Sequence, residues 1–215
     1  AVQALTGSQT LTDTFNVTAA DGTIQTVTVT INGTNDAAVI SGPVSGAVTE
    51  AGGVANGIAG TPTASGTLTA TDVDGTANAF TAVSTPATSI GGFGTYTMTA
   101  GGAWAYTVNN ANAAVQALIG SQTLTDTFNV TAADGTIQTV TVTINGTNDA
   151  AVISGPVTGS VTEAGGVSNG TAGTPTASGT LTATDVDGTA NAFTAVSTPA
   201  TSIGGFGTYT MTAGG

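Results

Sequence analysis

Polar and apolar residues alternate strictly along Thr26-Val-Thr-Val-Thr-Ile31, with Val27, Val29 and Ile31 on one face and threonines on the other. A period of two residues is that of a half-buried β-strand. The preceding stretch Leu11-Thr-Asp-Thr-Phe-Asn-Val-Thr-Ala19 alternates the same way through Leu11, Phe15 and Val17, and Asp21-Gly22 between the two runs marks a hairpin. A two-residue loop would set Val17 opposite Thr26 and throw the apolar sets onto opposite faces. An odd loop such as Asp21-Gly22-Thr23 pairs Val17 with Val27 and Phe15 with Val29, and keeps one face apolar. By the same reasoning a three-residue loop at Ala100-Gly101-Gly102 sets Met98 opposite Trp104 and Tyr96 opposite Tyr106. Trp104, the single tryptophan, is expected as a core anchor.

Further strands are expected at 43–50, opened by Pro43, at 66–71 and at 79–84. The run Asn112-Ala-Ala-Val-Gln-Ala-Leu118 is the one helix-like piece, one or two turns long. A longer pattern overlies all of this. AVQALTGSQTLTDTF starts at Ala1 and returns as AVQALIGSQTLTDTF at Ala114, 113 residues later. From there residues 114–215 copy 1–102 with five changes: Thr6/Ile119, Ser45/Thr158, Ala47/Ser160, Ala55/Ser168 and Ile58/Thr171. Such a period is a whole domain, not a solenoid rung of roughly 20–50 residues. One period holds about seven short strands (43–50, 66–71, 79–84, 94–99, 103–108, 122–132 and 136–144), the count of an immunoglobulin-like sandwich. The expected fold class is all-β, with tandem immunoglobulin-like Greek-key β-sandwich modules. Residues 1–37 then end one repeat, 38–150 form a complete repeat and 151–215 begin the next. The linkers Asn32-Gly-Thr-Asn-Asp36 and Asn145-Gly-Thr-Asn-Asp149 are too short to act as floppy tethers.

Composition narrows the chemistry. The chain has no Lys, Arg, His or Cys against twelve Asp and Glu, a formal net charge of −12. The usual general bases and the thiol and amine nucleophiles are therefore absent, and no enzyme is expected. Without cations the chain cannot neutralise phosphates, so neither nucleic acid nor anionic lipid is an expected partner. No apolar run approaches the roughly 20 residues that span a bilayer, so no membrane insertion is expected. With 40% hydrophobic and 6% charged residues it is also unlike a disordered chain. The hard oxygen ligands that remain, with no counter-charge in the chain, suit calcium.

The acids sit at strand ends, turns and linkers. Asp72-Val-Asp74-Gly75 follows the run Leu68-Thr-Ala-Thr71, and D-x-D-G sets two carboxylates on one side of a tight turn, with glycine to allow a left-handed conformation. Glu50 ends a strand, Asp36 lies in a linker, and Asp134 precedes the last strand of the repeat. Asp126 and its copy Asp13 stand at apolar-parity positions beside Phe128 and Phe15, where either a metal ligand or a structural cap is compatible with the pattern.

The segment Glu50-Ala-Gly-Gly, followed by Gly66-Thr-Leu-Thr-Ala-Thr-Asp-Val-Asp-Gly-Thr-Ala-Asn-Ala79, resembles the cadherin pattern of a strand-end Glu and A-x-D-x-D-x-G-x-N-A. Val17-Thr-Ala-Ala-Asp21-Gly22 resembles the V-x-A-x-D of that family, and Gly33-Thr-Asn-Asp36 its acidic linker. More closely, T-A-S-G-T-L-T-A-T-D-V-D-G followed by D-G-T-I-Q-T-V-T-V-T-I-N-G-T-N-D is similar to the VCBS repeat of giant, type I-secreted (RTX) bacterial surface adhesins. The resemblance covers every residue. It departs from cadherins in lacking their D-R-E before the sixth strand and in having a shorter linker than D-x-N-D-N.

The resemblance implies calcium between modules. Asn35, Asp36, Asp72, Asp74 and Asp134 would serve the upper end of the complete repeat, and Glu50, Asn148, Asp149, Asp185 and Asp187 the lower. It implies a non-catalytic extender on the bacterial cell surface, its partners the neighbouring repeats of its own chain, holding a distal adhesive domain outward for attachment or biofilm formation. Alternatives are a glycan- or surface-binding module, and a self-associating filament or surface-layer subunit.

Overall fold

The computed structural model describes residues 1–188, 190 and 192–215. Its strands are β1 Thr10–Thr18, β2 Ile24–Asn32, β3 Val39–Ser41, β4 Ser45–Thr49, β5 Thr63–Thr67, β6 Thr69–Thr71, β7 Val83–Thr88, β8 Gly94–Met98, β9 Ala103–Val108, β10 Thr123–Thr131, β11 Ile137–Asn145, β12 Val152–Ser154, β13 Thr182–Thr184, β14 Val196–Thr201 and β15 Thr208–Met211. The expected helix is one turn, α1 (Ala113–Gln116), which buries Val115. The described residues fall into two compact units. One comprises Ala1–Thr49, Thr61–Asn112 and Thr123–Asn145, and the other Glu50–Gly60, Ala113–Gln122 and Gly146–Gly215.

The first unit contains the sandwich. One sheet has the order β10-β11-β4 and the other β5-β9-β8-β7. β4 runs parallel to β11, from Ser45 opposite Thr141 to Thr49 opposite Asn145, and every other pair is antiparallel. Alternation makes the core: Phe128 and Val130 of β10, and Val140, Val142 and Ile144 of β11, are buried on one face. Facing them are Met98, Trp104, Tyr106 and Val108. The Phe128 ring stacks on Tyr96 at 4.4 Å and meets Trp104 edge-on at 5.7 Å. Each such fully buried side chain contributes about 1.5–3 kcal/mol over its exposed state. Trp104 is the anchor expected of it, and its indole Nε1 donates to the Pro43 carbonyl at 3.0 Å. Gly66 makes room for that indole, since a Cβ there would stand 2.8 Å from its ring.

The hairpin at 99–103 has the expected loop and register, with Met98 opposite Trp104 and Tyr96 opposite Tyr106. The β1–β2 hairpin keeps the expected face parity but slips by two residues: Phe15 pairs with Val27 and Val17 with Gln25. The loop is 20–22, closed by Ala19 N donating to Thr23 O, so that Gly22 and not Thr23 takes the left-handed position at φ 88°. A three-residue hairpin loop of this kind wants glycine at its third residue. Its copy closes identically, with Gly135 at φ 94°.

Three strand expectations need correction. The run 66–71 divides at buried Leu68: β5 joins β9, and β6 joins the short β3, which alternation did not reveal. The run 79–84 also divides. Phe80 bridges Ala132 beside β10, and the chain then crosses to the opposite sheet as β7. Pro43 precedes the first long strand by two residues instead of opening it.

In the second unit, β12 pairs with β13 and β14 with β15, repeating the registers of β3–β6 and β7–β8.

Candidate functional site

In the first unit the strand β6 delivers the chain into Asp72-Val-Asp74-Gly75. The Asp72 carboxylate accepts from Asp74 N at 3.2 Å and Gly75 N at 2.9 Å, a turn built by its own side chain. Glycine is needed at 75 for room and not for a left-handed backbone, because a Cβ would collide with the Asp72 carboxylate. Asp74 Oδ2 then accepts from Asp36 N of the linker at 3.2 Å. Asp134 Oδ2 accepts from Ala38 N at 2.8 Å and from the Thr136 hydroxyl at 2.6 Å, and its Oδ1 accepts from Thr136 N. Those bonds, the Thr136 hydroxyl first and then Ala38 N, hold the Asp134 carboxyl down to about 2. Asn35 turns its amide back to the Asp36 carbonyl. A cleft here is lined by Asp36, Asp72, Val39 and Gln3. Asp134 is not among its lining residues, and its oxygens pin the linker.

The second unit repeats the linker contact and adds to it. Asp149 N donates to Asp187 Oδ2 at 3.0 Å, the counterpart of Asp36 and Asp74, and Asn148 again bonds the next carbonyl. Glu50 is wholly buried, its Oε1 accepting from Thr147 N at 3.0 Å and its Oε2 from Gln116 Nε2 at 3.3 Å. Gln116 in turn accepts from Asn56 Nδ2 at 2.8 Å. Of the lower set, the structure therefore brings Asp149, Asp185 and Asp187 together and uses Glu50 to hold the linker. Asn56, Gln116 and Asn78 escaped the sequence reading. Asn78, in left-handed backbone at φ 55°, accepts from Ala70 N through its Oδ1 and fastens the D-x-D-G loop. The signal for Asn78 was the N of G-x-N, whereas neutral amides in a loop and a helix carry none.

The electrostatics of the second unit are one-sided. Burial pushes Glu50 above the usual carboxylate range, and the Asp149 and Asp187 charges add to it. Burial likewise raises Asp149, with Asp187 and Asp185 contributing. A hydrogen bond shared with Asp187 raises Asp185. Buried side-chain oxygens with no hydrogen-bond partner include Asp149 Oδ2, Asp185 Oδ1 and Asn56 Oδ1 here, and Asp74 Oδ1 in the first unit. Burying acceptors without donors is unfavourable by several kcal/mol each on the severest scale, and more for charges. The chain contains no Lys, Arg or His to relieve them. Hard anionic oxygens that are buried and unpaired fit a calcium-like cation. Among the described residues, no three acidic side chains stand close enough to hold an ion by themselves. Neutral oxygens would have to complete the shell.

Asp126 takes the structural alternative. It is buried between the sheets and its two oxygens accept from Gly91 N, Thr127 N, the Ser89 hydroxyl and the Tyr106 hydroxyl. Four donors satisfy it, and burial beside that carboxylate drives the Tyr106 phenol far up.

Residues 35–146, more than half of the chain, match the family described as a bacterial cadherin-like domain. No curated protein matches the chain.

Proposed function

The chain belongs to the bacterial cadherin-like domain family, and we propose that it is a run of calcium-stiffened spacer modules from a bacterial cell-surface adhesin. Domains of this family are immunoglobulin-like β-sandwiches, typically non-catalytic and generally extracellular or surface-associated, and they fit an adhesion or spacer role. The finer reading rests on one observation. Carboxylates stand where each linker meets a D-x-D-G turn, with an unpartnered oxygen on Asp74 in the first unit and on Asp149 and Asp185 in the second, in a chain with no cation of its own. Asp149, Asp185 and Asp187 would hold calcium in the second unit, and Asp36, Asp72 and Asp74 in the first. Calcium, when bound, supplies the positive charge these groups lack.

The protein's own contribution is positional. Glu50 ties the linker through Thr147 N, Asp134 ties it through Ala38 N, and the Asp72 turn presents its neighbour Asp74 to Asp36 N. Linkers fixed this way convert a string of modules into a stiff arm, and the 113-residue repeat, with 38–150 as the complete module, then sets its length. The resemblance to VCBS repeats supports placing that arm in a type I-secreted adhesin that serves attachment or biofilm growth. Small-angle scattering and thermal melting in EDTA and in millimolar calcium test the reading. Calcium should raise the melting temperature and narrow the distance distribution, with a stabilisation of about 2.7 kcal/mol where calcium stands at about 100 times its Kd. Superimposable curves in the two buffers would overturn it.

A further inference from the structure

The loop between Gly52 and Ile58 is closed by a reciprocal pair of backbone hydrogen bonds, at 2.9 and 2.8 Å. At its tip Ala55 and Asn56 both hold left-handed backbone, φ 51° and 58°. Two successive non-glycine residues in that region are unusual, and such conformations persist only where surrounding structure enforces them. Here the enforcement aims one side chain. An ionised carboxylate only accepts, so Glu50 Oε2 takes the NH₂ of Gln116, which turns Gln116 Oε1 toward Asn56. That oxygen takes the NH₂ of Asn56, which leaves Asn56 Oδ1 facing away from Gln116. The orientation of both amides thus follows from one anion at the end of the chain of bonds.

The freed oxygen is buried and has no partner. It belongs to a residue lining a cavity of about 340 Å³, together with Asp149, Asp185, Gln116 and Val152. Asp149 is itself 5% exposed, and it and Asp185 each carry another partnerless buried oxygen. Three residues with unpartnered acceptors, from three separate segments, two anionic and one neutral, line one cavity. A donor molecule such as water would satisfy one or two of them. A divalent cation answers all three, and too few acids stand close enough to do so unaided. The corresponding cleft in the first unit is lined by Gln3, Asp36, Asp72 and Val39, the copies of Gln116, Asp149, Asp185 and Val152.

Resting on the calcium reading above, we infer that Asn56 is a neutral carbonyl ligand of the second-unit calcium site and that Gln116 is its positioning residue. Of the five changes between copies two fall in this loop, Ala55/Ser168 and Ile58/Thr171, and Asn56 recurs as Asn169 with its left-handed backbone.

Calcium titration calorimetry on the 215-residue chain, paired with melting in EDTA, tests it. Wild type should bind calcium saturably. Asn56→Gly, which suits the left-handed backbone, should weaken calcium binding at this site about tenfold or more, and Gln116→Met should do so by a similar order. Gln116→Met should also lower melting in EDTA, because it takes the donor from a buried Glu50 oxygen. Asn56→Gly, by contrast, should lower melting far more in calcium than in EDTA, and Asn56→Asp should keep calcium binding, which a merely structural asparagine would not. If Asn56→Gly binds calcium like wild type, the ligand assignment falls and the calcium reading stands. If wild type itself binds no calcium, both fall.

Discussion

The hairpins β1–β2 and β10–β11 have one sequence and one register, yet opposite environments. Phe15 is 54% exposed and Phe128 is fully buried; Val29 is 43% exposed and its copy Val142 is fully buried. Strand, loop and pairing agree residue for residue, so local sequence together with glycine-directed turn chemistry determines the hairpin. The facing sheet determines whether its apolar side counts toward stability. No described residue covers the apolar face of β1–β2, whereas β10–β11 has Tyr96, Trp104 and Tyr106 against it.

The largest separation should come from the two phenylalanines. Phe128→Ala is expected to destabilise the sandwich by about 3–5 kcal/mol, followed by denaturant unfolding with Trp104 fluorescence. Phe15→Ala should stay within about 0.5 kcal/mol in the same chain, read by circular dichroism. Equal effects would mean that the first hairpin is covered in solution. Next come the two aspartates. Asp126→Ala strands the Tyr106 hydroxyl and the Gly91 N–H in the core, while the Ser89 hydroxyl keeps the Gly94 carbonyl, at about 1–3 kcal/mol for each stranded group. Asp13→Ala should be close to neutral, since Asp13 is exposed and accepts from its neighbour Thr14 N. A comparable loss at both positions would remove the packing explanation.

Acid should act on two sets of carboxylates in opposite senses. Glu50, Asp149 and Asp185 are raised in the folded protein, so their destabilisation is complete at neutral pH and is relieved as pH falls toward the ordinary carboxylate value of about 4. Asp134 is lowered to about 2, so its contribution is complete above the ordinary value and is lost as pH falls through about 2. Melting in EDTA should therefore rise on mild acidification and fall in strong acid. With calcium present the first rise should vanish. A monotonic decline in EDTA would contradict the crowding of the second-unit acids.

The smallest effect closes the comparison. Thr139 donates to Asn129 Oδ1 at 2.9 Å and Thr26 to Asn16 Oδ1 at 2.8 Å, on the outward face of each hairpin. Thr139→Ala and Thr26→Ala should each lose about 0.5–1.5 kcal/mol of local stability. Because water reaches both faces alike, hydrogen exchange should show the same loss in both copies.

Alternation made the β-class, the face parity of both hairpins and the buried role of Trp104 legible. It could not choose between loops of equal parity, and there the left-handed glycine decided the register. Nor could it show chain segments that change sheets, because Leu68 and Phe80 look like ordinary strand residues until two sheets compete for their flanks. The acids of the linkers and D-x-D-G turns were visible because charge is scarce in this chain. Asn56 and Gln116 were not, since an amide acquires its role only from the carboxylate that orients it.

The parallel ladder between β4 and β11 joins the first long strand of the sandwich to its last. A pull on the two ends of that unit draws Ser45 and Asn145 in opposite directions along the ladder, so its five facing pairs from Ser45–Thr141 to Thr49–Asn145 are loaded in shear and must yield together. A tether built from such units meets tension with bonds acting in concert, where a hairpin pulled from its open end would unzip one rung at a time.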